Sequence, residues 1–293
     1  GDEIEVATYR RDGPYSDGRR PDYVEYTSLD QDIHRRDFTV NALAADPETG
    51  EVIDHVDGLA DLEKKLIRAV GAPEQRFHED KLRLIRAVRF AHVLGFAIEP
   101  GTWEALRHKA TDIRDVAMER VSEELTKIIR HVPAGAALRL LDESGLLEPI
   151  LPELLLQKGV MQPEAFHPEG DVFVHTCLVL DQLRPEPSPA VAWAALLHDV
   201  GKPETFMVTD RIRFHGHAEL GMRMAKRICR RFRLSNEVTD RVAVIILEHM
   251  RFHDIDKMRP GRLLHWASQP HFAELLEVHR ADCAASHGDM TAH

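Results

Sequence analysis

From Asp80 onward, apolar residues recur every three or four positions in segment after segment. The series runs EDKLRLIRAVRFAHVL, AMERVSEELTKIIRHV and AALRLLDESGLL, then DVFVHTCLVLDQL, PAVAWAALLHDV, AELGMRMAKRICRRF, SNEVTDRVAVIILEHM and HFAELLEVHRADCAAS. Segments with that period must bury one face each against a neighbour, so most of the chain is predicted to be packed helices. Gly145 stands where the third of them should stop. Strand signals are confined to the beginning, where EIEVATYR and DYVEYTSL alternate around the loop DGPYSDGRRP, and they fade after EVIDHV. Pro152, Pro163 and Pro168, with Gly159 and Gly170, punctuate the stretch from Leu151 to Gly170 and mark a boundary. The expected fold is mainly α: a partial α+β domain over residues 1–62, a helical domain over 63–165 and an all-α domain over 166–293.

A chain of 293 residues, 43% hydrophobic and 30% charged, can bury real cores in about two domains. No apolar run reaches the roughly 20 residues that cross a bilayer, and GDEIEVATYR has no signal-peptide character, so the cytoplasm is the expected location and no membrane partner is expected. Cys177, Cys229 and Cys283 are far apart and are read as buried, reduced thiols. The net charge of −11 argues against broad polyanion binding. Residues 61–131 nevertheless hold 14 Lys/Arg against 12 Asp/Glu, so any nucleic-acid contact should be local. Twelve of the 18 histidines lie from His167 onward, which points to metal chemistry in the last third.

Asp80 and Arg83, three apart at the start of a predicted helix, project from one face. A carboxylate beside a guanidinium suits the Watson–Crick edge of cytosine or adenine, accepting from the exocyclic amine and donating to the ring nitrogen. Uracil would present a carbonyl to Asp80 and be rejected. Alone, such a pair is better read as an i,i+3 surface salt bridge.

The ordered series EVATYR, DGPYSDGRRP, RRDFTVNA, DGLADL, EDKLR and ERVSEEL, from Glu5 to about Ile129, resembles the class II tRNA nucleotidyltransferase and bacterial poly(A) polymerase family. The resemblance implies a nucleotidyltransferase head followed by a helical neck. It further implies that Arg36, Asp37 and Asn41 handle the ribose and triphosphate, that Asp80 and Arg83 form an amino-acid template, and that Arg86 and Arg89 face phosphates. The loop from Asp12 to Arg20 would help switch the site from cytosine to adenine; Glu119 and Arg120 would brace the helices. The implied substrates are tRNA, CTP and ATP. The implied chemistry uses two Mg²⁺ ions held by carboxylates. Glu5 matches one such acid, but neither GGxxRD nor the family's DxD precedes EVATYR, so that site is expected to be incomplete in this sequence and the sequence to be truncated. Asp30 and Asp32 form a DxD in the wrong place, leading into the ribose motif.

His198 and Asp199 end an apolar segment, so an imidazole and a carboxylate can meet one cation at its exit. With His175 before them and Asp282 after, they make the H…HD…D series of the HD phosphohydrolase superfamily, which the chain resembles from about Val172 to Asp282. His217 and His249 fall where a second metal would take ligands; His215 competes with His217, which the GHA pattern favours. A lone histidine is ordinarily a core or surface residue, but this ordered set is not a lone histidine. In HDVGKP, Lys202 would steady the charge on a phosphoester whose phosphorus is attacked by a metal-activated water. Mg²⁺, Mn²⁺ or Ni²⁺ are the expected ions. The implied activities are hydrolysis of phosphomonoesters and 2′,3′-cyclic phosphates, which would clean RNA ends. KRICRRFR, residues 226–233, reads as a solvated helix face, with an RNA backbone as the other reading.

Three functions follow for comparison: an RNA nucleotidyltransferase, a metal-dependent HD phosphohydrolase alone, and an RNA-binding module without catalysis. The intact DGPYSDGRRP loop favours CCA addition over CC addition, with poly(A) synthesis as the alternative.

Overall fold

The computed structural model describes residues 8–13, 23–164 and 167–287. Two compact units emerge, one from residues 1–117 with 144–149 and one from 118–143 with 150–293.

In the first unit, strands of two or three residues pair locally. Arg10–Asp12 runs antiparallel to Val24–Tyr26 and Ala44–Ala45 antiparallel to Val52–Ile53, while Leu66–Ile67 lies parallel to Ala97–Ile98. Helices Leu29–His34, Gly58–Lys64, Pro73–Glu79, Arg83–Leu94 and Pro100–Lys109 supply the rest. Ile33, Phe38, Phe77, Leu84, Ile85 and Leu106 are fully buried among them. The single helix expected through EDKLRLIRAVRFAHVL is broken. Asp80 has extended backbone after Pro73–Glu79 and accepts the amide of Leu82 at 3.1 Å, and the next helix begins only at Arg83. A short acidic side chain that bonds the backbone two residues on offers the chain a turn in place of a helix.

Among its described residues the second unit is helical apart from one hairpin and an isolated bridge between Met161 and Asp171. Its principal helices are Met118–Arg130, Gly135–Glu143, Val172–Gln182, Pro189–Leu197, His217–Arg231, Asn236–Glu248, Pro260–Ala267 and Phe272–His287. Asp171, Ser188 and Ser235 cap three of them by accepting the amides of Val174, Val191 and Val238. Pro189–Leu197 is the hub. It is apolar all round, every residue from Ala190 to Leu197 is buried, and it packs against Val172–Gln182, Asn236–Glu248, Phe272–His287 and Met118–Arg130. The hairpin Phe206–Val208 with Ile212–Phe214 was not expected in a domain read as all-α. Cys177 and Cys229 are buried as expected, whereas Cys283 is only partly so. Among the described residues no helix is long and apolar enough to cross a membrane.

Candidate metal centre

The hub helix stops at His198 because the chain turns there through Val200 and Gly201. A Cβ at Gly201 would lie 2.3 Å from the carbonyl oxygen of His217 and 2.7 Å from the amide nitrogen of Gly221. Only glycine admits this approach of the HDVGK turn to the start of His217–Arg231, and it carries Asp199 and His217 to one place. His175 arrives from Val172–Gln182, His249 from the end of Asn236–Glu248 and Asp282 from Phe272–His287.

Asp199 lies at the middle of these six residues. Its Oδ2 is 3.1 Å from His198 Nε2 and 3.8 Å from His175 Nε2; its Oδ1 is 3.8 Å from His217 Nε2 and 3.9 Å from His249 Nε2. The Nε2 atoms of His175 and His198 are 3.3 Å apart, as are those of His217 and His249. Asp282 Oδ1 closes the first group at 2.9 Å from His175 Nε2.

The other nitrogen of every ring is committed. His198 Nδ1 donates to the carbonyl of Ala195, His217 Nδ1 to Phe214 and His249 Nδ1 to Ile246, at 2.7 to 2.8 Å; His175 Nδ1 donates to Glu169 Oε1 at 2.7 Å. Carbonyls and carboxylates only accept, so Nδ1 carries the proton and each Nε2 presents a lone pair to the shared space when the ring is neutral. Asp199 is buried and neither oxygen receives a well-aligned hydrogen bond, although Lys202 Nζ forms an ion pair with Oδ2 at 2.7 Å. A buried carboxylate ringed by imidazole lone pairs at ligand spacing fits divalent cations: His175 and His198 with Asp199 would hold one, and His217 and His249 with Asp199 a second.

The electrostatics agree. Burial opposes the charge on Asp199, but His198 and Lys202 outweigh it and hold the carboxyl well below its ordinary range. Burial also opposes the charge on His175, yet Asp282 and Glu169 raise it to about 9, so a cation there must displace a proton. Burial pushes His249 down to about 3 against the pull of Asp199, leaving it neutral and ready to ligate.

A cavity of about 600 Å³ opens on the cluster, with Lys202, Phe214, Met250 and Arg213 in its walls. Lys202 is itself buried, donating to Gln162 Oε1 at 2.6 Å. His215 lines the cavity, while His217 is the ring beside His249. The sequence reading overlooked Glu169, His167 and Gln162. The available signal was the motif HPEG, residues 167–170, but it lay in the stretch read as a boundary.

The nucleotide-handling candidates gather in the first unit. Asp37 Oδ2 accepts both Nε and Nη2 of Arg86, and its Oδ1 accepts Asn41 Nδ2 at 3.5 Å. Arg36 donates to Asp32 and to the carbonyl of Asn41. Arg83 is buried, giving its guanidinium to Glu79 Oε2 and to the carbonyls of Arg76 and Arg35. Asp80 sits in the turn before Arg83 rather than on its helix, and Arg89 stacks over Phe90 at 4.0 Å from the ring centre. Asp32 is occupied by Arg35 and Arg36, and Asp30 by His55, so neither is arranged for a shared ion. Glu5 and most of the loop from Asp12 to Arg20 lie outside the described residues.

Comparison with known proteins gives three family matches: the poly A polymerase head domain over residues 1–68, a probable RNA- and SrmB-binding site of polymerase A over 95–157, and the HD domain over 173–285. A multifunctional CCA protein of Stenotrophomonas maltophilia is 36% identical, the match covering 90% of this chain and 66% of the relative. An A-adding tRNA nucleotidyltransferase of Deinococcus radiodurans is also 36% identical, over 90% of this chain and 62% of the relative. A multifunctional CCA protein of Pasteurella multocida is 34% identical, over 94% and 69%. The crystal structure of the Bacillus stearothermophilus CCA-adding enzyme in complex with CTP aligns with a TM-score of 0.68 and 27% identity, over 97% of this chain and 60% of that one. The chain thus spans slightly less than two thirds of the first of these relatives.

Proposed function

This chain belongs to the family of tRNA nucleotidyltransferases that includes multifunctional CCA proteins and A-adding enzymes, and from that premise we propose that it serves to add CCA to tRNA 3′ ends from CTP and ATP and to hydrolyse phosphate esters of RNA ends at the cluster around Asp199. In this reading residues 1–62 are part of a head domain, 63–165 a nucleotide- and RNA-binding neck and 166–293 a phosphohydrolase domain, acting in the cytoplasm. Asp80 and Arg83 read the incoming base, Arg36, Asp37 and Asn41 hold its ribose and triphosphate, and Arg86 and Arg89 meet phosphates. Glu5 is one of the carboxylates for Mg²⁺ at the transfer site.

What carries the hydrolytic half is the common state of four imidazoles, each with Nδ1 committed and Nε2 turned toward a buried carboxylate without aligned donors. His175, His198, Asp199 and Asp282 would hold one divalent cation, and Asp199, His217 and His249 a second, with Mg²⁺, Mn²⁺ and Ni²⁺ as candidates. Such ions supply Lewis acidity and a water of lowered pKa. Lys202, on the cavity wall, neutralises charge growing on a phosphoryl oxygen, and Phe214 beside it gives the ester an apolar surface.

The 293-residue chain should release phosphate from 3′-phosphorylated oligonucleotides and open 2′,3′-cyclic phosphates when given Mn²⁺ or Ni²⁺. A chelator, or His198→Ala with Asp199→Ala, should reduce turnover to background. Undiminished turnover in the double variant overturns the assignment. For transfer, a form extended to the length of the curated relatives is given tRNA lacking its CCA end, with CTP and ATP separately and together. Long tails from ATP alone would favour the second reading, poly(A) synthesis, which the head-domain match supports.

A further inference from the structure

The four candidate ligand histidines are held by unlike partners. Three give Nδ1–H to neutral main-chain carbonyls within their own turn of chain. Only His175 gives it to a carboxylate, Glu169 Oε1, at 2.7 Å. The side chain of Glu169 is 7% exposed, and the same oxygen accepts His167 Nδ1 at 2.9 Å. The segment carrying it is pinned from both sides: Asp171 accepts the amides of Gly159 and Val174, and the amide of Val172 donates to Val160.

We propose that Glu169 is a positioning residue that makes the two cation positions unequal, strengthening the one formed by His175, His198, Asp199 and Asp282 over the one formed by Asp199, His217 and His249. This rests on the two-cation reading above. A hydrogen bond to an ionised acceptor is about twice as strong as one to a neutral carbonyl. It fixes the ring and pushes electron density toward Nε2, making that nitrogen a better donor to a metal. At Nδ1, His198, His217 and His249 meet carbonyls, so the second position lacks this support. In this role Glu169 touches neither the cation nor the substrate and acts through His175.

The test is calorimetric titration of the metal-stripped 293-residue chain with Mn²⁺, beside Glu169→Gln and His217→Ala. Glutamine keeps one accepting oxygen of the same shape and removes the charge, exchanging the other oxygen for an amide NH2. The wild-type chain should bind two ions, one more tightly. Glu169→Gln should weaken the tighter position by about tenfold or more, the usual effect of losing a metal ligand's outer partner, and leave the other unchanged. His217→Ala should remove the weaker position and leave the tighter. Equal weakening of both positions by Glu169→Gln, or of neither, overturns the proposal while the two-cation centre stands. Failure of the wild type to bind Mn²⁺ overturns both. If Glu169→Gln does not fold, the metal-free wild type still decides: the Nδ1 proton of His175 should resonate furthest downfield of the four, and grouping with the other three refutes the assignment.

Discussion

A carboxylate as buried as Asp199 stays ionised only where its neighbours offset the cost of burial, and here His198 and Lys202 do so. Because its two oxygens face different histidine pairs, Asp199→Ala should abolish binding of both ions, whereas Asp282→Ala should affect only the His175 side; calorimetry with Mn²⁺ separates the two outcomes. Away from the centre, Glu153 takes a two-pronged bond from Arg231 at 2.7 and 2.9 Å. Burial works against its charge, but Arg231 outweighs burial and lowers the carboxyl's pKa. Its contribution to stability is therefore full above the ordinary glutamate pKa of about 4.3 and is lost as pH falls through the lowered folded value. Glu153→Gln should flatten the acid side of a urea-midpoint profile against pH, and an unchanged acid limb would contradict this. At this scale the sequence was legible where a residue acts through its own spacing, as in HDVGKP. It was not legible where a residue acts through a partner's proton. Glu169 matters only once the Nδ1 of His175 has been placed, and the donors of Arg83 go to two carbonyls that no motif could announce.

The hub helix was readable because a segment with eight consecutive buried residues has no polar face to mislead. Its one polar demand is the indole nitrogen of Trp193, met by Thr126 Oγ1 at 2.9 Å. Thr126→Val leaves that buried donor unpaired and should cost about 1–3 kcal/mol in chemical denaturation. Gly201 is the element's other constraint. Gly201→Ala drives a methyl into the His217 carbonyl, and such overpacking should cost about 1–3 kcal/mol and loosen Mn²⁺ binding at the His217 side. Wild-type stability and affinity in that variant would show that the turn can give way. The elements that escaped the sequence are short ones. Strands of three residues, such as Phe206–Val208 and Ile212–Phe214, fall below the four to eight residues over which alternation is informative. The break at Asp80 is a single side-chain bond that interrupts an otherwise continuous helical period.

At the scale of the molecule, the proposed activities act on the same chemical object. Nucleotidyl transfer needs a free 3′-hydroxyl, and a terminal 3′- or 2′,3′-cyclic phosphate blocks it, so a phosphohydrolase that removes such groups supplies the substrate of the transferase. The ordered motifs and the histidine series pointed to both proposed halves, while the compact units, 1–117 with 144–149 and 118–143 with 150–293, do not follow from sequence character alone. Both proposed cation positions depend on Asp199. Anomalous diffraction at the manganese edge from crystals soaked in Mn²⁺ should give two peaks sharing Asp199, one among His175, His198 and Asp282 and the other between His217 and His249. A peak-free cluster, or ions bound without Asp199, would contradict it.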